Sequence, residues 1–141
     1  MPRSTPDSQP ISVLVVEDHR ESREAMAEYL TLKGLVVTTA EDGLQAIALA
    51  REVQPNVIVM DLAMPVLDGW EATRRLKADW STRHIPIIAL SAFAGQSDAA
   101  ELALALGCVE KLTKPVNPRE VEGRIRRVAA RYRDRPTVGE N

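Results

Sequence analysis

The run Val57-Ile58-Val59-Met60 holds four apolar residues in succession, three of them β-branched. β-branching favours a strand over a helical turn, and a strand without polar alternation is buried on both faces. Such a strand needs helices on both sides of its sheet, so the rest of the chain must supply helices and further parallel strands. The run delivers Asp61, after which Leu62-Ala63-Met64-Pro65 breaks the pattern. A carboxylate at the C-terminal tip of a central parallel strand lies where open α/β sheets place their ligand sites. Taken alone, a turn or helix cap is the commoner role for such an aspartate, and the other polar residues decide between the two.

Four more apolar runs follow the same plan. Residues 11–16 form a first strand that ends on Glu17-Asp18, and residues 35–40 form a second. Residues 85–90 form a fourth that ends on Ser91, and residues 108–112 a fifth that leaves through Thr113-Lys114-Pro115. Amphipathic spacing predicts helices between them over 22–33, 44–53, 70–80, 99–106 and 118–132, with Gly34 suited to the C′ position of the first and Asp68-Gly69 to a turn. In the last helix Val121, Ile125, Val128 and Tyr132 fall on one face. Trp70 and Trp80 are expected to pack on one side of theirs. No internal repeat is visible.

A chain of 141 residues with 45% hydrophobic but 4% aromatic residues builds its core from Val, Ile, Leu and Ala, which suits one helix-covered sheet. Residues 1–10 read as a disordered leader, 11–132 as the domain and 133–141 as a polar tail. A net charge of -2 points to neither nucleic acid nor membrane, and the lone Cys108 excludes an internal disulfide and reads as a small buried hydrophobe. No signal peptide or long apolar run is present, so a cytoplasmic protein is expected.

Parallel order carries Glu17, Asp18, Asp61, Ser91 and Lys114 to one edge of the sheet. Crowded carboxylates repel unless a cation offsets them, and an all-oxygen cluster suits Mg2+ over Ca2+, since no Asp/Asn-rich loop supplies six or more oxygens. A cation, a lysine and a hydroxyl around one aspartate are what a transferring phosphoryl group needs, with Asp61 as nucleophile.

The joint motif, Glu17-Asp18, Asp61 with Met64-Pro65 and Asp68-Gly69, Ser91-Ala92 and Lys114-Pro115, resembles the receiver domain of bacterial two-component response regulators over residues 11–132. The resemblance implies a flavodoxin-like (βα)5 fold with strand order 2-1-3-4-5, and a phosphoryl group taken by Asp61 from a sensor histidine kinase or histidine phosphotransfer protein. It implies Mg2+ (or Mn2+) held by Asp18, Asp61 and the backbone carbonyl of Ala63, with Glu17 acting through water. Ser91 and Lys114 grip phosphoryl oxygens, and Lys114-Pro115 is a cis peptide. The family's aromatic switch position, three residues before the lysine, is Lys111 here, so that switch does not carry over. Ala63 and Phe93 occupy positions that flank the hydrolytic water, and neither can orient it, which implies slow autodephosphorylation.

The implied protein is a stand-alone phospho-receiver, a monomer or weak phosphorylation-dependent dimer. It signals to an unknown downstream protein through the fourth helix, fifth strand and fifth helix, where Ser91, Phe93, Leu102, Leu104 and Lys111 are switch or output candidates. A haloacid dehalogenase-type phosphatase wants a second acid two residues after the nucleophile, where Ala63 stands. A flavodoxin-like cofactor binder wants a glycine- or Ser/Thr-rich phosphate loop after the first strand, where Glu17-Asp18 would repel phosphate. His19 and His84 read as loop histidines. The arginines from Arg119 to Arg135 are interrupted by acids, so they read as a solvated or partner-facing helix rather than a nucleic-acid surface.

Overall fold

The computed structural model describes residues 9–64, 66–91 and 103–133. Five strands, β1 (Ser12–Val16), β2 (Val36–Ala40), β3 (Val57–Asp61), β4 (Ile87–Ser91) and β5 (Glu110–Thr113), form one sheet in the order β2-β1-β3-β4-β5. Every pairing is parallel. The helices among the described residues are α1 (Arg20–Leu32), α2 (Gly43–Val53), α3 (Gly69–Ala78), the helical residues 103–105, here α4, and α5 (Pro118–Arg133). This is the flavodoxin-like arrangement.

β3 sits at the centre of the sheet and all five of its residues are buried. Its side chains alternate between two cores. Ile58 and Met60 join Leu14, Val16, Ala46, Ala50, Ala72 and Leu76, the α2/α3 side, while Val57 and Val59 join Val13, Val15, Leu30, Val121 and Ile125, the α1/α5 side. Each fully buried Leu, Ile or Val contributes roughly 1.5–3 kcal/mol.

Two aspartates start the α2/α3 layer. Asp42 Oδ1 accepts from Gln45 N at 2.8 Å and Asp68 Oδ1 from Glu71 N at 2.8 Å, so Asp68 is a helix N-cap rather than part of a free turn. Gly69 follows it because a Cβ there would overlap the carbonyl oxygen of Asp61 and Cα of Leu62. This close approach seats α3 directly against the end of β3.

The structure corrects the expectation for Trp80. Asp79 turns to extended backbone and its carboxylate binds the N–H and hydroxyl of Ser81, so α3 stops at Ala78 and Trp80 stands outside it, 73% exposed. Trp70 does pack against the α2/α3 core.

Among the described residues two non-glycine residues have positive φ, Gln54 at 53° and Val66 at 70°, a conformation costing an L-residue on the order of 1–2 kcal/mol. Gln54 ends α2, and its side-chain amide donates to the carbonyls of Ala50, Arg51 and Ser81. Val66 is β-branched, and the residue is 78% exposed.

The arginines of α5 turn toward their own chain. Arg124, Arg127 and Arg131 all reach the carboxylate of Glu110 on β5, and Arg126 binds Glu122 and the carbonyl of Lys33. Arg133, expected in the tail, closes α5 and donates to the carbonyls of Gln9 and Pro10, the end of the expected leader. Arg135 lies outside the described residues.

Candidate functional site

The tips of β1, β3 and β5 carry the site. Glu17 and Asp61 are buried and Asp18 is exposed, and one carboxylate oxygen from each lies within 4.8 Å of the other two. Lys114, just after β5, donates from Nζ to Asp61 Oδ2 at 2.8 Å and to Glu17 Oε1 at 3.4 Å. The backbone N–H of Ala63 donates to Asp61 Oδ1 at 3.1 Å. Each oxygen of the Asp61 carboxylate is therefore held by its own donor.

The Lys114 ammonium binds two of the three carboxylates, those of Asp61 and Glu17. Burial raises the Glu17 carboxyl above its ordinary value; the His19 N–H opposes this and the charge of Asp61 adds to it. Burial alone would lower the Lys114 ammonium, but the hydrogen bond and charge of Asp61, with those of Glu17, outweigh it and hold the group above its ordinary value. The three acids offer only hard oxygen donors at a mutual spacing that one ion can span. That donor set fits Mg2+ with water completing its octahedron.

A cleft of about 700 Å³ opens here. Its lining includes Glu17, Asp18, Asp61 and Lys114 together with the apolar Val15, Val59 and Leu90. Ser91 is buried at the end of β4, opposite Thr113, and its carbonyl accepts the Lys114 N–H at 2.7 Å; it is not among the lining residues. The Lys114-Pro115 bond is cis. Of the output candidates, Leu104 is 52% exposed at the end of α4 and Lys111 is half-buried on β5 opposite Ala89, while Phe93 and Leu102 lie outside the described residues.

Sequence reasoning missed two supports of the acid pair. The N–H of His19, the N-cap residue of α1, donates to Glu17 Oε2 at 3.0 Å, and Arg23 Nη1 donates to the carbonyl of Glu17 at 3.0 Å. The first could have been found, because an N–H two residues after an acid at a helix start commonly folds back onto it. The second has no local signal. His84 is exposed on the opposite edge of the sheet, among Asn56, Pro86 and Tyr132. Cys108 is buried as expected, and burial pushes its thiol up to about 11.

Known proteins resemble this chain in sequence and fold. The polar-differentiation response regulator DivK of Brucella anthropi is 37% identical over 114 residues, covering 80% of this chain and 92% of that protein. The receiver domain of the sensor histidine kinase PA1611 from Pseudomonas aeruginosa, solved with a magnesium ion coordinated in its active-site cleft, is 35% identical with a TM-score of 0.78, covering 86% of this chain and 99% of that one. The chemotaxis response regulator CheY4 of Vibrio cholerae is 29% identical with a TM-score of 0.78, covering 85% of this chain and 99% of that one. The family of response regulator receiver domains matches residues 13–126. Receiver domains bind Mg2+ at an acidic site and are phosphorylated by histidine kinases or phosphotransfer proteins. With its sheet order, acid cluster and these relatives in agreement, the chain belongs to the response regulator receiver domains, the phosphoryl-accepting switches of two-component signalling.

Proposed function

We propose that Asp61 is the phosphoacceptor of this switch. The observation that carries the reading is the Lys114 ammonium bridging Asp61 and Glu17 at the tip of a fully buried strand. A carboxylate oxygen of Asp61 attacks the phosphorus of a phosphohistidine on a sensor kinase or phosphotransfer protein. The new P–O bond forms as the P–N bond breaks, and the imidazole leaves with that bond's electron pair. Lys114 passes from the carboxylate to a phosphoryl oxygen, and Ser91, on the neighbouring strand tip, holds another. The Ala63 N–H keeps the attacking carboxylate oriented.

Asp18, Asp61 and the backbone carbonyl of Ala63 hold Mg2+, with Mn2+ able to replace it and Glu17 acting through water. When bound, it supplies positive charge against the developing charge on the phosphoryl oxygens. The functional unit spans residues 11–132, and its output runs through protein contacts on the face of α4, β5 and α5 near Leu104 and Lys111. Ala63 is exposed beside Asp61 and offers hydrolytic water no polar side chain, so the acyl phosphate is long-lived.

The test is phosphoryl uptake from phosphoramidate or acetyl phosphate with Mg2+ present. Intact mass should rise by about 80 Da as a base- and hydroxylamine-labile product, and Asp61→Asn should abolish the gain. Persistent labelling of that variant would falsify the assignment.

A further inference from the structure

We infer that Arg23 is a positioning residue of the cation site, one that holds the carbonyls of Glu17 and Asp18 and so fixes the backbone that presents the Asp18 carboxylate to the ion; this rests on the reading of Glu17, Asp18 and Asp61 as the Mg2+ site.

The three acids are not equally held. Asp61 is buried and takes the Lys114 ammonium at 2.8 Å and the Ala63 N–H at 3.1 Å. Glu17 is buried as well, and its carboxylate takes the His19 N–H at 3.0 Å and Lys114 at 3.4 Å. Asp18 is exposed, and among the described residues no hydrogen bond reaches its carboxylate. A side chain without a bond of its own is placed only by the backbone that carries it. Freedom in that backbone has to be given up when an ion binds, and it weakens the binding accordingly.

At Asp18 the backbone has already left the sheet. β1 ends at Val16 opposite Ala40, and beyond that pair the Glu17 N–H still donates to the Ala40 carbonyl at 3.0 Å. The carbonyls of Glu17 and Asp18 lie past this bond, and among the described residues no backbone N–H reaches either. Arg23 supplies what the sheet does not: its Nη1 donates to the Glu17 carbonyl at 3.0 Å and to the Asp18 carbonyl at 3.4 Å. Its place on α1 makes the reach possible. The Arg23 N–H donates at 2.8 Å to the carbonyl of His19, the N-cap residue, and side chains of a helix lean toward its N-terminus. A long side chain rooted in the first turn therefore extends back over the cap to the acid pair.

Arg23 acts from outside the site. α1 lines the cleft with Ser22, Ala25 and Met26 and not with Arg23. Burial raises the Glu17 carboxyl, and the charges that act on it are those of Asp61 and Lys114, not that of Arg23. Its guanidinium thus works on two carbonyls, and the carboxylates are left to the ion.

The experiment titrates the full chain with Mn2+ and follows the loss of the free-ion EPR signal, in wild type, Arg23→Ala, Arg23→Met, Asp18→Asn and the Arg23→Met/Asp18→Asn pair. Both single Arg23 variants should bind about tenfold more weakly than wild type. In the Asp18→Asn background Arg23→Met should cost less than twofold, because its effect runs through a carboxylate already lost. A loss under threefold in Arg23→Met overturns the inference, whatever that variant does to the melting temperature in chelator. Tighter binding overturns it too, since Arg23 would then be a charge that competes with the ion. A loss in Arg23→Ala alone assigns the effect to the aliphatic stem, which Met retains, and equal losses with and without Asp18 make Arg23 a general support of the fold; either result sinks the proposal. If wild type binds no Mn2+, or Asp18→Asn binds it as tightly as wild type, the reading of the metal site has failed and the role of Arg23 falls with it.

Discussion

The two ends of the sheet are built on opposite rules. At the end where the strands begin, polar groups meet partners of complementary kind. Asn56 Oδ1 accepts from Ser12 N at 2.8 Å, Ser12 Oγ at 3.2 Å and Arg133 at 3.4 Å, while Gln54 donates to the Ser81 carbonyl and Asp79 binds Ser81 and Arg51. At the end where the strands finish, three carboxylates cluster and one ammonium binds two of them, and burial works against the charge of Glu17. One end spends its polar groups on stability. The other keeps a deficit of positive charge that only something from outside can remove, and an incomplete charge set is what makes a site responsive to a cation and a phosphoryl group.

That contrast can be broken by experiment. The largest effect belongs to the deficient end: Mg2+ at 100 times its Kd should stabilise the wild-type chain by about 2.7 kcal/mol, and Asp18→Asn should lose most of that gain at the same Mg2+ concentration. Thermal melts in chelator and in Mg2+ measure both.

Next comes the satisfied end. Asn56→Ala leaves the Ser12 N–H without its acceptor and should cost about 2 kcal/mol in denaturant unfolding, with phosphoramidate labelling unchanged. An equal loss of labelling would show that the two ends are not separate.

A smaller effect of opposite sign is expected from Glu17→Gln. Removing one of the crowded acids should raise Tm at pH 7.5 in chelator, and Mg2+ should shrink or reverse that advantage.

The smallest effect is a pH dependence at Asp79. The Ser81 N–H, then the Ser81 hydroxyl and Arg51, pull its carboxyl from 3.8 down to about 2. A depressed carboxyl contributes stability that is present above the unfolded value and lost as pH falls through the folded one. The Tm difference between wild type and Asp79→Asn should be full at pH 6 and close between pH 4 and pH 2. A difference that persists at pH 2 would mean that packing, not charge, fixes the Asp79 loop.

Periodicity made the fold legible because each strand is a short β-branched run with a polar residue at its end, and parallel order turns those ends into one edge. Asp61, Glu17, Asp18 and Lys114 were therefore readable as neighbours before any distance was known. What stayed hidden has a common physical cause: it depends on where the backbone turns. Trp80 has helical spacing, but the Asp79–Ser81 hydrogen bonds stop α3 two residues earlier. Asp68-Gly69 has turn composition, but the closeness of Gly69 to the Asp61 carbonyl makes it a helix start. The ion pairs of Arg124, Arg127 and Arg131 stayed hidden because Glu110, the acceptor these three share, comes from a separate strand.

That shared acceptor makes mutation at the α5–β5 junction lopsided. Arg124, Arg127 and Arg131 recur along one side of the helix, and Glu110 is their common carboxylate. Losing any one arginine leaves two others within reach, so drift at those three codons is buffered. Losing Glu110 takes the shared carboxylate from all three in a single step and leaves only Arg124 with another, that of Glu120. A lineage carrying this chain can therefore exchange its arginines one at a time almost silently, while the glutamate is held in place by every arginine that remains.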